Sequence, residues 1–118
     1  MRKIYYLKTC DTCKRILRSL ALEGFVLQEI KTQAITARQL EEMRAKAGSY
    51  AALFSKTAKK YKELGLKNEE LREEDLKHLI LNDYTFLKRP VFLVDDSIFI
   101  GHSKKNVEDL MNYLDGSN

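Results

Sequence analysis

Lys3-Ile4-Tyr5-Tyr6-Leu7 is a short run rich in β-branched and aromatic residues, and such a run predicts a buried strand. After it the apolar period lengthens. Ile16, Leu17, Leu20 and Ala21 share one helical face, while Lys14, Arg15 and Arg18 turn away from it. Asp11 or Thr12 is the expected N-cap of this helix and Gly24 its expected C-terminal cap. Phe25 to Ile30 then reads as a second strand, so the first third of the chain is β-α-β.

The middle is patterned differently. Thr36 opens a helix with Leu40 and Met43 inside it, ending near Gly48. From Ser49 to Leu64 the residues Tyr50, Leu53, Phe54, Ala58, Tyr61 and Leu64 keep largely helical spacing, closed by Gly65. A third helix opens at Arg72-Glu73-Glu74-Asp75-Leu76. Its acids lie in the first turn, where the helix dipole favours them, and Leu76, Leu79 and Ile80 form its apolar stripe. No Pro-rich or Ser-rich linker flanks this stretch. Residues 34–84 or thereabouts are therefore read as an all-helical insertion into a single domain spanning 1–118. The last third returns to strand. Val91 to Val94, the polar turn Asp95-Asp96-Ser97 and Ile98 to Ile100 make a hairpin signal. Gly101 follows, and Ser103 can cap a final helix that carries Val107, Leu110, Met111 and Leu114 on one face. The class is α/β, in the order β-α-β, helices, β-β-α.

Bulk properties narrow this picture only a little. A chain of 118 residues with 44% hydrophobic content fits one globular domain. No apolar stretch approaches the ~20 residues that span a bilayer. Too few apolar residues follow Met1-Arg2-Lys3 for a secretory leader, so a cytoplasmic location without membrane contact is expected. The net charge is +4, from 21 basic and 17 acidic residues that are interleaved. That pattern suits a solvated surface, and no direct nucleic-acid binding is expected. Lys56, Lys59, Lys60 and Lys62 read as a solvated helix face.

Candidate chemistry concentrates at Cys10-Asp11-Thr12-Cys13, which holds the only two cysteines in the chain. Two thiols separated by two residues, at the start of a helix, can close a disulfide. The helix N-terminus favours thiolate over thiol there. In a reducing compartment such a pair reads as catalytic or redox-sensing. Cys10 is the expected nucleophile and Cys13, one turn inside the helix, the expected resolving thiol. Structural zinc would need further ligands. His78 and His102 are isolated from the cysteines and from each other, so no metal and no resident cofactor are expected. His78 is read as solvent-facing and His102 as a surface residue. Tyr5, Tyr6 and Tyr61 are read as core or lip residues. Pro90 is the sole proline and stands at the entrance of the third strand, where no ladder bond is lost.

Taken together, these motifs resemble the arsenate reductase (ArsC)/Spx/YffB group of thioredoxin-like proteins. The resemblance covers nearly the whole chain. It rests on Ile4-Tyr5 before Cys10, on Tyr61-Lys62-Glu63-Leu64-Gly65-Leu66, on Lys88-Arg89-Pro90-Val91, and on Gly101-His102-Ser103. It implies a thioredoxin-like fold with a helical insertion between the second and third strands. It also implies a cis bond at Arg89-Pro90, opposite the cysteines, and a nucleophilic role for Cys10. Arg89 and Pro90 are expected to hold the substrate, with Arg89 offering a planar fork of donors to an anion. Thr9 and Thr12, beside the nucleophile, complete the expected substrate-binding set. Arsenate reductases of this type surround the oxyanion with three arginines. Here only Arg89 matches, with Ser55-Lys56 and His102 at the other two places and Leu7 where those enzymes carry an asparagine. The CxxC pair is the Spx-like feature, and the run from Leu7 to Thr12 is most similar to the YffB-like branch.

The implied function is a thiol–disulfide oxidoreductase acting on a small-molecule or protein thiol or disulfide, with glutathione as a candidate co-substrate. Two alternatives stand beside it: glutathione- or glutaredoxin-coupled arsenate reduction, and a redox-sensing regulator that binds the RNA polymerase α subunit. The oligomeric state is left open.

Overall fold

The computed structural model describes residues 1–116. These fall into two compact units, the first Met1–Gln33 with the segment from Arg89 onward, the second Ala34–Lys88.

The first unit holds the sheet. Strands β1 (Arg2–Tyr6), β2 (Val26–Glu29), β3 (Val91–Val94) and β4 (Ser97–Ile100) lie in the order β2-β1-β3-β4. β1 runs parallel to β2 and antiparallel to β3, and β3 pairs antiparallel with β4. The register sets Ile4 opposite Phe92 and Tyr6 opposite Glu29. Helices α1 (Asp11–Arg18) and α5 (Lys104–Gly116) complete the unit. Ile4, Phe92 and Val94 from the sheet, Ile16 and Leu17 from α1 and Leu110 from α5 form one buried cluster. Each such side chain contributes on the order of 1.5–3 kcal/mol by leaving water. All four residues of β3 are buried, as the continuous apolar run requires of an inner strand.

Within this unit α1, at both of its ends, and the β3–β4 turn differ from their sequence expectation. The apolar spacing carries α1 toward Gly24, but the helix stops at Arg18. The Ser19 hydroxyl donates to the Ile16 carbonyl at 2.7 Å. The Ser19 and Leu20 N–H groups bond three residues back, at 3.0 and 3.3 Å, which tightens and ends the helix. Leu20 and Leu22 still pack on the core from the loop that follows. Gly24, at φ 86°, shapes the turn into β2, closed by the Phe25 N–H on the Leu22 carbonyl. In the β3–β4 hairpin the turn is only Asp95-Asp96, with Asp95 at φ 56°, and Ser97 already pairs with Val94. At the start of α1 the cap is Cys10, not Asp11 or Thr12.

The second unit is helical: α2 (Ala37–Ala47), α3 (Lys59–Glu63) and α4 (Glu73–Asn82), with short 3-10 turns at Leu66–Asn68 and Tyr84–Phe86. Thr36 and Gln39 form a reciprocal capping box at the head of α2, and Gly48 ends it in the left-handed conformation. The continuous helix expected over 49–64 is replaced by turns and the five-residue α3. Tertiary hydrogen bonds take the backbone instead. The Glu73 carboxylate accepts the Tyr50 and Ala51 N–H groups at 2.6 and 3.0 Å. Phe54 then bridges antiparallel to Leu87, with Ser55 N–H on the Phe86 carbonyl (2.7 Å) and Lys88 N–H on the Leu53 carbonyl (2.8 Å). The apolar residues of this stretch serve the core all the same. Phe54 stacks on Phe86 at 5.2 Å and meets the edge of Tyr61 at 6.0 Å.

Candidate active site at the β1–α1 junction

The chain leaves β1 at Tyr6 and enters α1 at Asp11, so four residues carry it across. They fold as a turn closed by the Cys10 N–H on the Leu7 carbonyl at 3.1 Å. Cys10 then adopts extended N-cap geometry, φ −90° and ψ 108°. Its carbonyl accepts the Lys14 N–H at 3.1 Å, the first bond of the helix. Its Sγ accepts the Cys13 N–H at 3.4 Å. A sulfur thus occupies the position usually held by a Ser or Asp oxygen, where an orphan N–H and the helix dipole stabilise negative charge.

The two thiols differ in setting. Cys10 is half-buried and Cys13 is fully buried, and both are free thiols. Burial pushes the Cys13 thiol up to about 12, and a hydrogen bond and negative charge on Cys10 add to the rise. A backbone hydrogen bond with Leu7 and the Arg89 charge act in the opposite sense. Cys13 is therefore a protonated thiol at neutral pH.

This shift carries a sign for stability. Above the ordinary value of 9.0 the unfolded chain gives up the Cys13 proton, whereas the folded chain keeps it to about 12. The contribution is complete below pH 9 and is lost as the pH climbs toward 12. Reduced protein is expected to lose denaturant stability over that window more steeply than a Cys13→Ala variant. Urea titrations at several alkaline pH values measure it, and equal slopes for the two proteins would contradict it.

Arg89 is half-buried, with its Nε enclosed, and precedes the buried Pro90 across a cis peptide bond, as the resemblance implies. The Pro90 carbonyl accepts the Gly101 N–H at 2.8 Å, which fixes this loop to the end of β4. The Arg89 charge acts on the Cys13 thiol, in the direction that favours thiolate. Of the flanking threonines, Thr9 is exposed on the turn and Thr12 is half-buried in the first turn of α1. His102 is exposed. His78 lies on the surface of α4, 3.3 Å from Glu74. Ser55 is buried with its hydroxyl 3.1 Å from that of Thr57, and Lys56 is exposed. Among the described residues no group of three or more His, Cys, Asp or Glu side chains is placed to hold a metal ion. No helix among them is long and apolar enough to cross a membrane.

Local sequence signals did not reveal Glu29. Its carboxylate accepts the Lys8 N–H at 2.9 Å from the turn that carries Cys10, a bond across 21 residues of chain.

The model of the ArsC family matches residues 5–110. The chain belongs to the ArsC family. That span includes both cysteines, Arg89 and Pro90, and membership supports a thiol-based redox function. Among solved structures, a Staphylococcus aureus protein is 28% identical with a TM-score of 0.74, covering 92% of this chain and 97% of its own. An ArsC-family-related protein from Bacteroides fragilis is 20% identical with a TM-score of 0.77, covering 92% and 96%. An arsenate reductase from Vibrio cholerae is 20% identical with a TM-score of 0.72, covering 93% and 95%. The fold of this ArsC-family chain is thus thioredoxin-like α/β, with a four-stranded mixed sheet. No curated protein gives a significant match.

Proposed function

We propose that this ArsC-family chain is a two-cysteine thiol–disulfide oxidoreductase that draws on glutathione. The observation that carries the reading is the asymmetry of the pair: a half-buried Cys10 sulfur at a helix N-cap, with the buried Cys13 thiol one turn behind it. In the first step the Cys10 thiolate attacks one sulfur of a substrate disulfide. A Cys10–substrate disulfide forms and the other half leaves as a thiolate. In the second step Cys13 loses its proton to that leaving thiolate and attacks the Cys10 sulfur. The Cys10–Cys13 disulfide forms and the second substrate thiolate departs. Two molecules of glutathione reduce the pair again and leave as glutathione disulfide. Arg89 and the Pro90 loop hold the substrate beside the sulfurs, with Thr9 and Thr12 bordering it.

Arsenate is the weaker substrate candidate. Of the three arginines that arsenate reductases of this type use, only Arg89 is matched. Ser55 bonds to Thr57 rather than presenting a cation.

The test is trapping. Reduced Cys13→Ser protein mixed with glutathione disulfide is expected to accumulate a stable mixed disulfide on Cys10, releasing one glutathione, within a few-fold of the parent rate of first attack. The unaltered chain instead proceeds to the internal disulfide. Intact-mass and peptide mass spectrometry read both. A Cys13→Ser protein that turns over repeatedly at the parent rate would remove Cys13 from the mechanism.

A further inference from the structure

We propose that Glu29 is a positioning residue for Cys10, holding the turn that carries the nucleophile from the neighbouring strand through the Lys8 amide. The inference rests on the reading of Cys10 as nucleophile given above.

Glu29 ends β2, in register with Tyr6 at the end of β1. Its two carboxylate oxygens divide the work. Oε1 accepts the Lys31 N–H (3.1 Å), the Thr32 N–H (2.8 Å) and the Thr32 hydroxyl (2.9 Å), which folds the chain just after β2. Oε2 accepts the Lys8 N–H at 2.9 Å. Lys8 is the second residue of the turn that the Cys10 N–H closes on Leu7. The Ile30 N–H also donates to the Tyr6 carbonyl at 3.0 Å, so two links from the end of β2 bracket Leu7.

The chemistry suits a permanent anchor. Partial burial raises the Glu29 carboxyl, but the hydrogen bonds from Lys8, Thr32 and Lys31 together outweigh it and hold the group below the ordinary carboxylate value. Glu29 is thus ionised at neutral pH, and charge-assisted bonds of this kind are the stronger ones. Cys10 depends on the tie because its Sγ must stay at the Cys13 N–H, and only Thr9 separates Lys8 from Cys10. If the turn loosens, the sulfur drifts off its cap.

Glu29→Gln tests this with little change of shape. An amide has one acceptor oxygen. Kept by the three donors on the Lys31–Thr32 side, it leaves an NH2 group facing the Lys8 N–H, donor against donor. Thr32→Val is the complement: it weakens the other side and leaves the Lys8 bond in place. Both variants are made in a Cys13→Ser background, so that alkylation by iodoacetamide at pH 7 reads Cys10 alone. Glu29→Gln is expected to slow alkylation about five- to ten-fold, while Thr32→Val stays within about two-fold of the parent, although both lower the thermal midpoint. Equal rates for Glu29→Gln and the parent, or equal slowing in both variants, overturn the proposal. Amide exchange on the unaltered chain gives a second readout that needs no variant. The Lys8 amide is expected to exchange at least about ten-fold more slowly than that of Thr9, after correction for sequence, and indistinguishable rates overturn the proposal as well. If the unaltered chain fails to reduce cystine with glutathione supplied as reductant, the oxidoreductase reading falls. The alkylation and exchange comparisons still decide what Glu29 does.

Discussion

Replacing Cys10 with serine is expected to remove disulfide reductase activity by about a thousand-fold or more while the protein stays folded. The two halves of this expectation have separate causes. Activity falls because a serine hydroxyl is not ionised at neutral pH and cannot form or exchange a disulfide. The fold survives because Cys10 is the N-cap of α1, and serine is among the best residues at such a position. Its oxygen can accept the Cys13 N–H that the sulfur now accepts at 3.4 Å. Glutathione-driven reduction of a different small disulfide, cystine, and a thermal melt, on the same preparation, read the two halves. Retained turnover in Cys10→Ser, with loss only in Cys13→Ser, would reverse the roles assigned to the two thiols.

The largest effect on stability is expected at Phe92. This residue is fully buried at the centre of β3, paired across the sheet with Ile4 and Phe99 and clustered with Ile16, Leu17 and Leu110. Phe92→Ala removes a large side chain from between a sheet and two helices, and the strand cannot collapse to fill the space. The cost is about 3–5 kcal/mol, a large share of the roughly 5–15 kcal/mol by which domains of this size are stable. The thermal midpoint is expected to fall by roughly 15 °C or more. The effect on chemistry is indirect, since β3 follows the Arg89-Pro90 loop. A melt within a few degrees of the parent would mean that the cluster around Phe92 is not the core that holds the sheet together.

The parts of this molecule that could be read from the chain are those with local causes. The Cys10–Cys13 spacing, the Thr36 and Ser103 caps, the acidic first turn of α4 and the β3–β4 hairpin all follow from neighbours a few residues apart. Thr36 accepts the Gln39 N–H and Ser103 accepts the Asn106 N–H, as their sequence positions suggest. The order of elements, joined to the family resemblance, was enough for the fold. Reading failed where a distant partner decides the backbone. Residues 49–64 have helical spacing, yet Glu73 takes the N–H groups of Tyr50 and Ala51, and Phe54 pairs with Leu87. No window of sequence contains both halves of those contacts. The end of α1 is a subtler case, because Leu20 packs as its spacing demands while Ser19 bonds back to Ile16 and ends the helix.

The site divides in the same way. The place of Cys10 and Cys13 at the β1–α1 junction, and of Arg89-Pro90 at the entrance of β3, was legible from residue type, spacing and resemblance. That Cys10 itself is the cap was not, because cysteine is not among the residues usual at that position and Asp11 and Thr12 stand beside it. Glu29 was invisible, since an acid at the end of a strand reads as surface until the Lys8 amide is seen to meet it.

The central claim is that Cys10 and Cys13 work as one redox pair. Equilibrating the protein with glutathione buffers of graded ratio, and following the reduced fraction, tests it most directly. A single two-electron transition is predicted, with a potential in the range of cytosolic thiol couples, roughly −220 to −320 mV. The absence of any reversible Cys10–Cys13 disulfide across the titration would contradict the account.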